Sequence, residues 1–162
     1  MKPLAIELEA AGLSNVLTYI QSGNLVFQDD KRTKAALTSL IKKSIKNRFG
    51  LEVVVIVMSR GELASYLKGN PFAKLMNDED GKYLHLFVMD DAPNNFRKDR
   101  IEKLQQESEK WKLKGLVLYL YTPHGFGKSK LAAQIEKILG TPTTARNWRT
   151  MSTLLELASN DQ

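Results

Sequence analysis

Val16-Leu17-Thr18-Tyr19-Ile20, Gln21-Ser22-Gly23-Asn24 and Leu25-Val26-Phe27 read together as a hairpin. β-Branched, aromatic and aliphatic residues flank a short polar turn, and Gly23 stands where the backbone needs a positive φ. Working outward, Pro3 to Ala11 is predicted to be a helix, with proline in its first turn and Gly12 as its stop. From about Thr33 to Phe49, Leu37, Leu40, Ile41, Ile45 and Phe49 form an apolar stripe at helical spacing, and Gly50 ends that helix. Val53-Val54-Val55-Ile56-Val57 is a β-branched run and predicts a buried strand. The order α-β-β-α-β is a split β-α-β unit without its opening strand. That strand would be an inner one, so either the polypeptide begins upstream of Met1 or another segment fills the gap.

In the second half, Ser59 is an N-cap with Glu62 as capping-box partner, opening a short helix that Asn70-Pro71 closes. The acidic turn Asn77-Asp78-Glu79-Asp80-Gly81 lacks the later glutamate of a calcium loop and reads as a solvated loop. Tyr83 to Met89 alternates as a strand, with His85 packed rather than catalytic. A charged helix after Pro93 is predicted to carry Ile101, Leu104 and Trp111 on one side and to end near Gly115. Strand Val117–Tyr121 follows; Leu131, Ile135, Ile138 and Leu139 then define a helix that Gly140 stops. The tail from Thr141 leads into a last helix carrying Met151, Leu154, Leu155 and Ala158. Two α-β halves are expected, residues 1–58 and 59–162, with their boundary between residues 59 and 82.

With 162 residues, 43% of them hydrophobic, the chain has material for a core that needs no metal or disulfide. It has no cysteine, which excludes disulfides, thiolate zinc sites and cysteine nucleophiles. No apolar run approaches the roughly 18 residues that cross a bilayer, and no signal-peptide pattern opens the chain, so a cytoplasmic protein without membrane contact is expected. Lysine and arginine outnumber acids by 24 to 18, a mild attraction for phosphorylated ligands or nucleic acid. Many of these cations lie on the 31–48 segment off its apolar stripe, without interleaved aromatic residues, as on a solvated helix face. Two separated histidines give no metal-ligand spacing, and no cofactor is implied.

The candidate site is the passage from Val117–Tyr121 through Thr122-Pro123-His124-Gly125-Phe126-Gly127-Lys128-Ser129-Lys130 into Leu131-Ala132-Ala133-Gln134-Ile135, read as strand, glycine-rich turn and helix. Gly125 and Gly127 let the backbone turn, and Lys128, Ser129 and Lys130 fall at the expected helix start, where open amides and the helix dipole favour an anion. A nucleotide-binding P-loop is excluded, because Thr122 and Pro123 stand where its first glycine is needed. Arg146 and Asn147 would complete the site, with Gln21, Ser22, Asn24, His124 and Trp148 as accessory groups. Each has a plainer account: Ser22 and Asn24 form the hairpin turn, Ser129 caps a helix, Arg146 pairs with a carboxylate, and Trp148 anchors the core. His124 has neither a nucleophile nor an orienting carboxylate, so no catalytic constellation results. The expected function is non-enzymatic binding of a small phosphorylated or carboxylated ligand. Nucleic-acid binding and a protein-interaction module are the alternatives, the former without the usual aromatic strand signature. The oligomeric state stays open.

Three blocks carry a resemblance: Thr18 to Phe27, Gly125 to Leu131, and Thr144-Ala145-Arg146-Asn147-Trp148-Arg149-Thr150. Across nearly its whole length the chain resembles the bacterial family called domain of unknown function 1697. The resemblance implies an α+β protein of two ferredoxin-like plaits with no established activity. It also implies a first strand and glycine-rich turn ahead of the segment that here starts at Met1, matching the opening strand absent from the first half.

Overall fold

The computed structural model describes residues 2–21, 23–76, 80–93 and 96–160. Contacts divide the chain into two units, residues 1–63 with 153–162, and residues 64–152. Helices α3 (Arg60–Lys68) and α6 (Trp148–Asn160) span the division. Among the described residues the secondary structure is mixed: six α-helices and two antiparallel sheets.

The first unit opens with α1 (Lys2–Ala10), β1 (Ser14–Tyr19), β2 (Asn24–Gln28) and α2 (Lys34–Phe49). Strands β1 and β2 pair antiparallel as expected, with Leu17 opposite Val26 and Thr18 opposite Leu25. Asp29 ties the hairpin's end to α1: its carboxylate accepts from the backbone amides of Lys31 and Arg32 and pairs with the Arg32 guanidinium, which also donates to the Ala11 carbonyl. These donors, the Arg32 amide first, hold the Asp29 carboxyl below its ordinary range. Thr33 caps α2, its hydroxyl accepting from Ala36 N at 3.2 Å. Gly50 ends the helix with φ 67° and donates to the Lys46 carbonyl. Buried Leu4, Leu8, Leu13, Val16, Leu37 and Ile41 form the core, and Leu25, Phe27, Val55 and Val57 pack on it.

The predicted buried strand at Val53–Val57 does not form. The segment is in no ladder, Val53 and Val54 are exposed, and residues 51–58 make no backbone-to-backbone hydrogen bond with any described residue. A β-branched run supplies the shape of a strand, but a strand needs a neighbour to bond, and β2's ladder partner among the described residues is β1 alone.

The Ser59–Glu62 capping box at the start of α3 forms as read, with Ser59 N donating to Glu62 Oε2 at 2.8 Å and Glu62 N to Ser59 Oγ at 3.2 Å. In the second unit follow β3 (Leu84–Met89), α4 (Lys98–Leu104), β4 (Lys110–Lys114), β5 (Val117–Tyr121), α5 (Ile135–Leu139) and β6 (Thr143–Asn147). Their sheet has the order β4-β5-β3-β6, antiparallel throughout. Residues opposite one another share a face, so Phe87, Leu118 and Ala145 lie on one side and Leu86, Tyr119 and Arg146 on the other. The first side packs on Ile101, Leu131, Ile135, Ile138 and Leu139. On the second, Tyr119 is 2% exposed and its hydroxyl donates to the Tyr66 carbonyl at 2.7 Å. Burial pushes its phenol up to about 12.

Two expectations for this unit are corrected. The charged helix after Pro93 stops at Leu104, and Trp111 lies on β4. Lys110-Trp111-Lys112-Leu113-Lys114 alternates outward and inward, a period of two that pairing with β5 enforces. Trp111 is anchored by Nε1 donating to Gln105 Oε1 and by an edge-on contact with Phe96. The tail before the last helix is a strand as well, since Thr143–Asn147 completes the open edge of β3. Of the acidic turn, Asn77, Asp78 and Glu79 lie outside the described residues, and Asp80–Lys82 is a short 3-10 turn.

One backbone outlier is informative. Ile20 has φ 49°, a left-handed conformation that a β-branched residue adopts only under strain, and its side chain is exposed. Ile20→Asn is expected to raise stability by about 1 kcal/mol, because asparagine tolerates that conformation and little burial is lost. Urea unfolding measures it, and a lower midpoint would show that the conformation is not strained.

Candidate functional site

The glycine-rich turn is built from β5 outward. Thr122 is buried, and both its amide and its hydroxyl donate to the Tyr83 carbonyl, at 2.9 and 3.2 Å. Gly125 donates back to the Thr122 carbonyl and turns the chain at φ 104°, a conformation open to glycine. Phe126–Lys128 is then a single 3-10 turn, closed by Lys128 N and Ser129 N donating to the carbonyls of Gly125 and Phe126. Ser129 is 5% exposed and its hydroxyl accepts from Ala132 N at 2.9 Å.

No helix begins at Lys128, Ser129 and Lys130. Residues 130–134 continue as turns, and α5 starts only at Ile135 and runs five residues. Leu131 and Ala132, both buried against the sheet, draw the chain inward before a helical ladder can start. The lysines therefore lack the aligned peptide dipoles on which the expected anion cradle rested. The Ser129 hydroxyl closes a local turn at Ala132 and not the helix start that its plainer account gave it.

What fastens the turn is Phe126. Its ring stacks on His85 with centroids 3.8 Å apart and an interplanar angle of 25°, and lies 5.9 Å from Phe87. The contact was missed in the sequence, although His85 and Phe87 share a strand face and Phe126 is the aromatic between the two turn glycines. His85 Nδ1 is buried and has no hydrogen-bond partner. Burial lowers the imidazole pKa from 6.5 to about 4, a backbone interaction with Tyr83 offsetting part of the effect.

Arg146 stands opposite Leu86 in the register, whereas His85, under Phe126, stands opposite Asn147. The sheet thus places the Arg146 side chain on the face of Tyr119 and the turn on the other. The guanidinium follows its own strand, Nη1 donating to Thr144 Oγ1 and to the Ala145 carbonyl, each at 2.8 Å, and burial lowers its pKa. Asn147 caps α6, its Oδ1 accepting from Thr150 N at 2.8 Å. Trp148 and Arg149 close over Gly81 so tightly that an added Cβ there would lie 2.9 Å from Arg149 Cγ and 3.3 Å from Trp148 Cδ1. His124 is exposed along an open recess with Gln106, Glu107 and Ser108. Gly127, Lys128 and Lys130 are exposed on the turn itself.

In the first unit, Gln21 is exposed at the hairpin tip, and Asn24 is buried with its Nδ2 donating to the Tyr19 carbonyl at 3.2 Å, which stitches the hairpin. Ser22 lies outside the described residues. The face of the second sheet that holds Tyr119 is covered there by Tyr66, so Tyr119 offers no open platform for stacking bases.

The His85 environment has a pH consequence. Unfolded, the imidazole takes a proton near 6.5; folded, it resists until about 4. Its contribution to stability is therefore full above pH 6.5 and is lost as pH falls toward 4, by at most about 3 kcal/mol. Urea unfolding at pH 7.5 and 4.5 is expected to show a steeper loss for the wild type than for His85→Phe, which keeps an aromatic ring against Phe126; equal losses would mean that His85 is not held neutral.

Comparison with known proteins bears on the fold and the family. A solved structure of a conserved bacterial protein from Streptococcus pneumoniae superposes with a TM-score of 0.70 at 20% identity, covering 98% of this chain and 88% of that one. That similarity shows the shared α+β fold. No curated protein matches the chain. Among the described residues no helix is long and apolar enough to cross a membrane. The family model described as protein of unknown function (DUF1697) matches residues 1–119, a stretch that contains the hairpin block and ends before the glycine-rich turn. The chain belongs to that family.

Proposed function

We propose that the chain is a non-enzymatic binding module that meets a macromolecular partner through its first unit. The observation that carries this reading is the distribution of exposed apolar side chains. Phe49, Leu51, Val53 and Val54 are exposed in one short stretch, and Ile6, Leu17 and Ile20 add to them in the same unit. Single exposed apolar residues are ordinary; a run of them on a segment with the composition of a strand marks a contact surface. The plait reading supports it further. In the second unit β3-α4-β4-β5-α5-β6, in the order β4-β5-β3-β6, follows a ferredoxin-like plait, and α1-β1-β2-α2 with residues 53–57 repeats that order from its first helix onward.

The small-anion reading keeps one support of its own, since Lys128 and Lys130 are exposed on either side of buried Ser129. In this form the site rests on the two lysines and the open backbone at Gly127, with Arg146 outside it.

Two measurements test these readings. Leu51→Lys with Val54→Lys, both at exposed positions, is expected to leave the melting temperature within a few degrees and to reduce cross-linked partner capture from the source cell's extract at least tenfold; unchanged capture would end the first reading. For the second, thermal stabilisation by pyrophosphate is expected to vanish in Lys128→Ala with Lys130→Ala and to persist in Arg146→Ala. No stabilisation of the wild type would end it.

A further inference from the structure

We infer that the second unit binds single-stranded nucleic acid along β4, with Lys110, Lys112 and Lys114 each meeting one phosphate. The inference concerns a different surface from the apolar run of the first unit and stands without it. Lys110, Lys112 and Lys114 are exposed and stand opposite Tyr121, Tyr119 and Val117, which puts all three on the Tyr119 face of the sheet. Trp111 and Leu113, between them, turn to the other side and pack on its core. The Lys114 ammonium donates to the Gly69 carbonyl at 2.8 Å, and exposed Lys68, next to Gly69, adds a cation at that end of the row. The four strands of this sheet contain no aspartate or glutamate. Glu109, beside Lys110, is buried and its carboxylate accepts from the Gln106 amide at 2.9 Å.

Among the described residues none of these four lysines makes an ion pair, whereas at α4 Arg97 pairs with Asp99 and Lys98 with Glu102. Lysines at a sheet edge deter pairing with a second sheet. That role does not require charge of one sign left without counter-charge, which is the arrangement that draws a polyanion. Alternate residues of a strand are about 6.8 Å apart, so the row presents its charges at a regular step on the scale of one nucleotide of an extended chain. Lysine, a point charge on a flexible stem, follows such a backbone without reading its sequence. Tyr121, half-buried and directly opposite Lys110, sets an aromatic ring beside the row as a stacking partner for a base. The ring favours a nucleic acid over an acidic polypeptide, which would bring the charge without the bases.

The test is anisotropy of the whole chain with a labelled oligothymidylate of about twelve nucleotides, from about 30 to about 150 mM salt. Log affinity is expected to fall against log salt with a slope of about −2, the value for three phosphates. Lys110→Gln with Lys112→Gln is expected to bring the slope to about −0.7 and to weaken low-salt binding at least about tenfold. Lys110→Arg with Lys112→Arg is expected to retain binding. Lys42→Gln with Lys43→Gln, which removes the same charge from exposed positions of α2, is expected to change neither quantity. Should the β4 glutamine pair lower the melting temperature by more than a few degrees, Lys112→Gln alone is read instead, with a slope change of about 0.7. No wild-type binding at the lowest salt, equal weakening by the β4 and α2 variants, or tighter binding of a duplex of the same length would overturn the inference. An alternating glutamate-threonine peptide that binds as tightly as the oligonucleotide would do so too, since an acidic polypeptide would then be the occupant.

Discussion

The second unit depends on β3 being bonded along both edges at once. Its partners are β5 on one side and β6 on the other, and four consecutive residues, Leu86 to Met89, are buried. A central strand in this position removes its own polar backbone from water at no net loss of hydrogen bonds, and it sets the height and register of everything beside it. The short α4 and α5 could not persist alone in water; they are held because Ile101, Ile135, Ile138 and Leu139 cover Phe87, Leu118 and Leu120. The glycine-rich turn obeys the same constraint, since Phe126 can stack only where β3 presents His85.

That register also divides the polar groups. Adjacent residues of a strand point to opposite faces, so Arg146 and Asn147, neighbours in sequence, cannot serve one site together. Asn147 is used as the cap of α6, and Arg146 lies along β6 on the side away from Phe126. A cluster that looks cationic when written as a line of letters is split by the pleat. The lysines that remain on the turn stand in solvent without the helix terminus that would have strengthened an anion's binding.

The first unit shows the same rule from the other side. Its hairpin, its helices α1 and α2 and the caps of α2 are formed, and its core is continuous, but Val53–Val57 has the composition of a strand without the bonds of one. Composition and pairing are separate requirements. Where the second is unmet, apolar side chains stay exposed and the backbone groups of the segment are left for a partner or for water.

Local signals were legible in the amino-acid sequence because local chemistry writes them. Thr33 and Gly50 bound α2, Ser59 and Glu62 form their box, Gly23 turns the hairpin, and the alternation through Tyr83–Met89 marks a buried strand, all from interactions within a few residues. Tertiary structure alone decided that Lys110–Lys114 and Thr143–Asn147 are strands, that Val53–Val57 is not, and that the lysines of the turn do not stand at a helix start. Each of those outcomes is set by whether a neighbour distant in sequence offers an edge or a face, and a ladder or a stacked ring such as His85 on Phe126 leaves no mark in either partner's own residues.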